Sequence, residues 1–279
     1  MFIPFTKMHG LGNDYLIIDE RDRSLLTEQE KPTFARHVCR RGFAVGSDGI
    51  LFLTVPDQAD VQMRIFNADG SEAESCGNGL RCTAYYHHGL QKPGESQLTI
   101  NLPLAGTMDA EVDYEQPPSA HVRLILDNAG RYQEQRTLKL EHSTLHYHYV
   151  DAGNPHAVFF LDENEQLPDS PEDLALSELG AEIQAHSDFE DTGGVNAEFV
   201  VDNESGQSMR MRVHERGVGE TNSCGTGCIG VARACAETER AEGWVEVEQP
   251  GGTLRIETHK GYLEGPATLS YRGELYWEG

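Results

Sequence analysis

A shift of 148 residues lays MRIFNADGSEAESCGNG, at 63–79, over MRVHERGVGETNSCGTG, at 211–227. Both segments begin Met-Arg, alternate as a strand does, carry a glutamate four residues before a cysteine, and end in a cysteine–glycine turn. The same shift sets GSDGILF (46–52) over GVNAEFV (194–200), and a shift of 141 sets GND (12–14) over GNP (153–155). Late in the two halves, LPLAGT (102–107) faces QPGGT (249–253), each between alternating stretches that read as hairpins. An ordered set of matches like this constrains the chain to fold as two copies of one unit of ordinary domain size. The two prolines of EQPPSA, at 115–120, mark the natural linker.

Each half then reads as several short strands around one helix that starts just after its cysteine. The first helix is expected from Asn78 to His88 with Gly89 as a left-handed cap, the second from Thr226 to Arg240 with Gly243 beyond it. TGCIGVARACAETER is rich in small residues, which let strands approach from many sides. It suits a helix enclosed by sheet better than one lying on a single face.

A helix start offers unpaired backbone N–H groups and the positive end of a dipole, so it can hold a carboxylate. Gly77, Gly79, Gly225 and Gly227 allow a ligand to come close to that backbone. A cysteine in the same field is expected to have its pKa lowered from about 8.5 towards neutrality. Two such starts sharing one carboxylate would flank the attached carbon with thiols from opposite sides. One thiolate could then take a proton from one face while the other thiol returns one to the opposite face. A single base would restore the original configuration; two bases invert it.

The 12 histidines and six cysteines permit a rival reading as a zinc site. Structural zinc favours cysteines two to four residues apart, however, and Cys224–Cys228 meets that spacing while Cys76–Cys82 does not. Cys39, Cys82, Cys228 and Cys235 read as small buried hydrophobes. GNGLRC lacks the Lys-Ser/Thr of a phosphate-binding loop. None of the five lysines lies in the repeated motifs, so no Schiff-base lysine is indicated and chemistry without a cofactor is favoured. A net charge of −24 argues against nucleic acid. No apolar run approaches the length of a membrane span, and MFIPFTKMHGLGNDY does not resemble a secretory signal, so a cytoplasmic location with reduced cysteines is expected.

Over nearly its whole length the sequence resembles diaminopimelate epimerase. The resemblance is carried by KMHGLGNDY (7–15), NADGSEAESCGNGLRC (67–82), GNPHAV (153–158), VNAEFV (195–200), ERGVGETNSCGTG (215–227) and PGGTLRIE (250–257). It implies an isomerase that interconverts LL- and meso-2,6-diaminopimelate without pyridoxal phosphate, on the route to lysine and peptidoglycan precursors. The implied fold is of α+β type, within the broad α/β class. Two pseudo-symmetric domains, each a curled, mainly antiparallel sheet around a central helix, have the active site between them. The last strand returns to the first domain, giving 1–118 with 265–279 as one half and 119–264 as the other. A homodimer and a small-molecule substrate are implied, with no metal.

Residue by residue, the resemblance makes Cys76 and Cys224 the acid/base pair. It assigns the reacting carboxylate to Gly77, Asn78, Gly225 and Thr226. The distal, non-reacting centre falls to Asn13, Asn67, Asn154, Asn196 and Arg216, with Glu215 near an ammonium. His156 and Glu215 also tune the thiols. His87, His88, His146 and His148 read as ordinary surface or strand residues. Two positions depart from what some family members carry: Gly49 stands where a glutamine occurs, and His214 where an aromatic such as tyrosine is common. Proline racemase and hydroxyproline epimerase share the two-cysteine chemistry, but ERGVGET and the asparagine set fit a second charged centre better than a ring.

Overall fold

The chain divides into two units, Met1–Ile125 with Glu264–Gly279, and Leu126–Leu263. The computed structural model describes residues 1–91, 96–126, 130–203 and 207–279. The first unit contains β1 (Phe2–Gly10), β2 (Asn13–Asp19), α1 (Lys31–Val38), β3 (Gly49–Thr54), β4 (Val61–Asn67), β5 (Glu72–Ala73), α2 (Gly77–Ala84), β6 (Gln97–Leu102), β7 (Gly106–Gln116) and β8 (Ser119–Ile125). The second contains β9 (Arg131–Lys139), β10 (Thr144–Asp151), β11 (Pro155–Phe160), α3 (Leu176–Gln184), β12 (Asn196–Asp202), β13 (Ser208–Glu215), β14 (Gly219–Thr221), α4 (Gly225–Glu237), β15 (Trp244–Gln249) and β16 (Gly252–Glu257). The last strand, β17 (Tyr262–Tyr276), runs back into the first unit.

Strand pairing in the first unit closes on itself in the order β1–β2–β3–β4–β6–β7–β8–β17 and back to β1. Closure removes exposed sheet edges and leaves an interior that α2 fills, touching β1, β2, β4, β6, β7 and β8. Only small neighbours allow so tight a fit. A Cβ on Gly10 would lie 2.8 Å from Arg81 Nη2, and one on Gly79 would lie 3.1 Å from Leu51 Cδ2. Outside the barrel, α1 packs Phe34, Ala35 and Val38 against Ile3, Leu16, Ile50 and Phe52.

The second unit repeats the pattern strand for strand. Parallel β2–β3 answers to parallel β11–β12, parallel β4–β6 to parallel β13–β15, and hairpin β6–β7 to hairpin β15–β16. Each parallel pair needs a long crossover, and the two that precede the cysteines carry α1 and α3. The second central helix, α4, touches β9 to β12, β15 and β16. A stacked Phe159–Phe199 pair, with centroids 5.0 Å apart, anchors the core between this sheet and α3.

Several expectations differ from the structure. The units divide at 125/126 and 263/264, seven residues and one residue from the expected 118/119 and 264/265. Pro117 and Pro118 form the turn of the β7–β8 hairpin, where Gln116 pairs with Ser119, because a proline pair suits a tight turn as well as a linker. The first helix does not stop at Gly89; α2 ends at Ala84 and a π-helical turn continues from Tyr85 to Gln91. His87, His88 and His148 are buried, whereas His146 is exposed on β10. In the second half, α4 stops at Glu237, and Gly243 takes the left-handed conformation beyond it at φ +75°.

Candidate active site

Both cysteines occupy the residue just before a central helix. Cys76 has φ −154° and ψ 117°, Cys224 φ −120° and ψ 109°. Each is extended, and its carbonyl already accepts the first helical bond, from Leu80 N–H at 2.9 Å and from Cys228 N–H at 3.1 Å. The first-turn amides that follow have no helical acceptor of their own. Gly77, Asn78, Gly225 and Thr226 thus supply the expected helix starts.

The glutamate four residues before each cysteine has a structural explanation. Glu72 receives Arg64 Nε at 2.6 Å and Nη2 at 2.8 Å; Glu220 receives Arg212 Nε at 2.7 Å and Nη2 at 2.9 Å. These matching forks tie β5 to β4 and β14 to β13, fixing the hairpin that delivers each thiol. Each arginine also reaches the crossover segment, Arg64 to Glu28 and Arg212 to the carbonyl of Pro171 at 2.7 Å.

In the first unit the Cys76 thiol is half-buried. Tyr15 Oη lies 2.8 Å from its Sγ and also hydrogen-bonds Asn13 Oδ1. Asn13 Oδ1 accepts from Asn78 Nδ2 at 3.1 Å, and Asn13 Nδ2 donates to Asp48 Oδ2 at 2.8 Å. Asn13, Asn78 and Cys76 are therefore brought together. Asn67, the exposed last residue of β4, donates from Nδ2 to Ser71 Oγ at 3.0 Å. At Gly49 a Cβ would meet the Phe66 carbonyl at 2.8 Å, which accounts for glycine at that position.

In the second unit Cys224 is 4 % exposed. Its backbone N–H donates to Gln249 Oε1 at 2.7 Å, and its Sγ accepts from Gly227 N–H at 3.4 Å and lies 3.6 Å from Thr226 Oγ1. His156, fully buried, places Nδ1 2.6 Å from Glu198 Oε1 and Nε2 2.9 Å from Asn154 Oδ1. A Cβ on Gly227 would sit 2.9 Å from Glu198 Oε1 and 3.3 Å from Cys224 Sγ, so this carboxylate and the thiol meet over the same glycine. Asn196 Oδ1 accepts the Arg216 backbone N–H at 2.8 Å, while its Nδ2 is buried with no partner among the described residues. Arg216 is exposed and donates from Nη1 to the Thr192 carbonyl at 2.7 Å. His214 packs its ring against α3, where a Cβ on Gly180 would fall 2.3 Å from it.

The expectation that the helix field depresses both thiols fails at Cys224. Burial, and then the charges of Glu215 and Glu198, push this thiol well above the ordinary cysteine range, outweighing the Thr226 and Gly227 hydrogen bonds. Glu215 is itself raised, by burial first, against hydrogen bonds from Thr221 and Cys224. Glu198, Tyr15 and Gln249 escaped the reading of the sequence as site residues. Glu198 left a signal: one acid in the strand run VNAEFVV, whose neighbours are apolar. Among the described residues, no group of three or more His, Cys, Asp or Glu side chains is placed to hold a metal ion. No helix among them is long and apolar enough to cross a membrane.

Residues 5–125 and 148–275 match the family described as diaminopimelate epimerase. The chain is 35% identical to the diaminopimelate epimerase of Methanothermobacter thermautotrophicus over 98% of each chain. It is 36% identical to that of Archaeoglobus fulgidus, over 99% of this chain and 97% of the relative. Among solved structures, a phenazine biosynthesis protein of the PhzF family from Bacillus anthracis superposes with a TM-score of 0.71 at 18% identity, covering 99% of this chain and all of that one. A probable proline racemase from Agrobacterium radiobacter gives 0.70 at 14% identity, covering 99% and 93%. At those identities the two structures speak for the fold alone.

Proposed function

The chain belongs to the diaminopimelate epimerase family and is an isomerase, and on that premise we propose that it interconverts LL- and meso-2,6-diaminopimelate through Cys76 and Cys224. The observation that supports this most is the duplicated one: an extended cysteine, held by an Arg–Glu fork, immediately ahead of a glycine-rich helix start. Backbone amides of Gly77, Asn78, Gly225 and Thr226, with the Thr226 hydroxyl, hold the reacting carboxylate. Their partial positive charge stabilises the negative charge that develops as the α-proton leaves. One thiolate takes that proton, and the other thiol delivers its own to the opposite face. Reversing the roles reverses the reaction.

Asn13, Asn67, Asn154, Asn196 and Arg216 read the distal centre. The Nδ2 of Asn196, buried and without a partner among the described residues, suits a ligand oxygen, and the Arg216 guanidinium has N–H donors beyond the one on Thr192. Glu215 faces an ammonium, and with His156 it tunes the thiols. The same reading makes the protein a cytoplasmic homodimer in lysine and peptidoglycan precursor synthesis, working without pyridoxal phosphate. Incubation with LL-diaminopimelate in D₂O, with no added cofactor, tests it. Deuterium should enter at one α-carbon as the meso form accumulates. Label in proline instead, or no label at all, would overturn the assignment.

A further inference from the structure

We propose that Tyr15 is a positioning residue for the reaction, a hydrogen-bond partner that serves Cys76 as thiolate and as thiol alike. The inference rests on the reading of Cys76 as an acid/base. Its basis is geometry within the first unit. Tyr15 Oη touches two atoms, Cys76 Sγ at 2.8 Å and Asn13 Oδ1. The hydroxyl has one proton and can rotate between them. When Cys76 is a thiolate, the Tyr15 O–H points at sulfur. When sulfur has taken a proton, S–H donates to Oη and the Tyr15 O–H turns to Asn13 Oδ1. Asn13 Oδ1 keeps Asn78 Nδ2 as a donor in either case. Tyr15 never gives up its own proton, so the proton gained or lost by substrate is the one on Sγ.

The surroundings hold the phenol in that position. Tyr15 is 5 % exposed and lies opposite Gly49 on β3, where a Cβ would sit 3.5 Å from ring atoms Cδ1 and Cε1. A larger residue at 49 would crowd the ring. Burial first, then the neighbouring Cys76 charge, push the phenol well above its ordinary range, so it stays a donor. The other ionisable groups acting on it are Cys82 of α2 and Asp48, and Asp48 is held by Arg41. Beyond them, Asp14 pairs with Lys7, and Arg81 bonds Asn78. All of these remain when the hydroxyl alone is removed. The repeat shows that the device exists once: the shift that lays Asn13 over Asn154 lays Tyr15 over His156. That ring turns its nitrogens to Glu198 and Asn154.

The test is iodoacetamide labelling of each thiol, followed by mass spectrometry, in the full-length wild-type protein and in Tyr15→Phe. A thiolate deprived of its donor is less populated but intrinsically more nucleophilic. Cys76 of Tyr15→Phe should therefore label more slowly than wild type at pH 7, by about threefold, and faster at about pH 10. Cys224 in the same molecule should keep its wild-type rates. The kcat for epimerisation should fall while KM holds. Faster labelling of Cys76 at both pH values would mean a merely loosened pocket and would overturn the proposal, as would unchanged labelling. If the wild-type enzyme failed to turn over diaminopimelate, the functional reading would fall, whereas the hydrogen bond would still be judged by labelling, which needs no turnover.

Discussion

At Cys76 the thiol is half-buried and meets a phenol hydroxyl; at Cys224 it is buried beside Glu215 and Glu198, and Glu198 in turn holds His156. The backbone beneath the two is the same: extended cysteine, helix start, Arg–Glu fork, and a hairpin with glycine at positive φ. Duplication has therefore conserved where each sulfur sits, while the side chains facing it from β2, β11 and β12 have diverged. In the proposed reaction, which starts with one thiolate and one thiol, unequal surroundings bias which sulfur holds the proton.

Three experiments would break or sharpen this comparison. The largest effect is expected from replacing either sulfur. Cys76→Ser and Cys224→Ser should each depress epimerisation by about 10²–10⁴-fold, since in the proposed reaction each removes one acid/base. Each variant should still exchange the α-hydrogen with solvent from one stereoisomer only, and the two should choose opposite isomers. Exchange of both isomers by both variants, seen by NMR in D₂O, would end the two-base account.

A smaller effect is expected from cutting the forks. Arg64 and Arg212 are each about one-fifth exposed, so the bidentate pairs are partly shielded from solvent. Arg64→Met and Arg212→Met should each lower unfolding free energy by about 1–2 kcal/mol in urea. Their local effects should separate: the first should alter labelling of Cys76 and the second that of Cys224. A variant that changed both thiols equally would show that the forks do not act hairpin by hairpin.

The mildest effect concerns alkaline pH. An unfolded cysteine ionises near about 8.5, whereas Cys224 in the folded protein stays protonated well above the ordinary range. The native state then holds a proton that the unfolded state releases. The stability tied to this group is intact below about pH 8.5 and is lost as the pH climbs towards the native value. Cys224→Ser should lose less stability than the parent across that alkaline window. Parallel stability curves would mean that Cys224 is not held as a thiol by its surroundings.

Much of this frame was legible in the residues. The shift of 148 located both helix starts, and the glutamates before Cys76 and Cys224 were visible as a repeated feature. Their arginine partners lie eight residues upstream across a hairpin, a separation that alternation alone does not single out. Pro117 and Pro118 misled because local turn chemistry does not say whether the chain returns to the same sheet. Tyr15 and Glu198 were hidden for a related reason. An aromatic and an acid in strands look like packing and surface until the crossovers bring β2 and β12 beside the central helices. The pKa of Cys224 was misjudged because a helix start is readable in sequence, but full burial beside two carboxylates is not.

The closing strand of the first unit also sets a timetable for synthesis. Residues 126–261 leave the ribosome before β17, so every strand from β9 to β16 is available for pairing while the first barrel still lacks one stave. Until Tyr262–Tyr276 arrives, β1 and β8 are both open edges, and Trp277 cannot donate its backbone N–H to the Met1 carbonyl. The half of the protein that is begun first is thus the half that is finished last. A chain cut short before β17 leaves the ribosome with two open strand edges, the kind on which other chains aggregate.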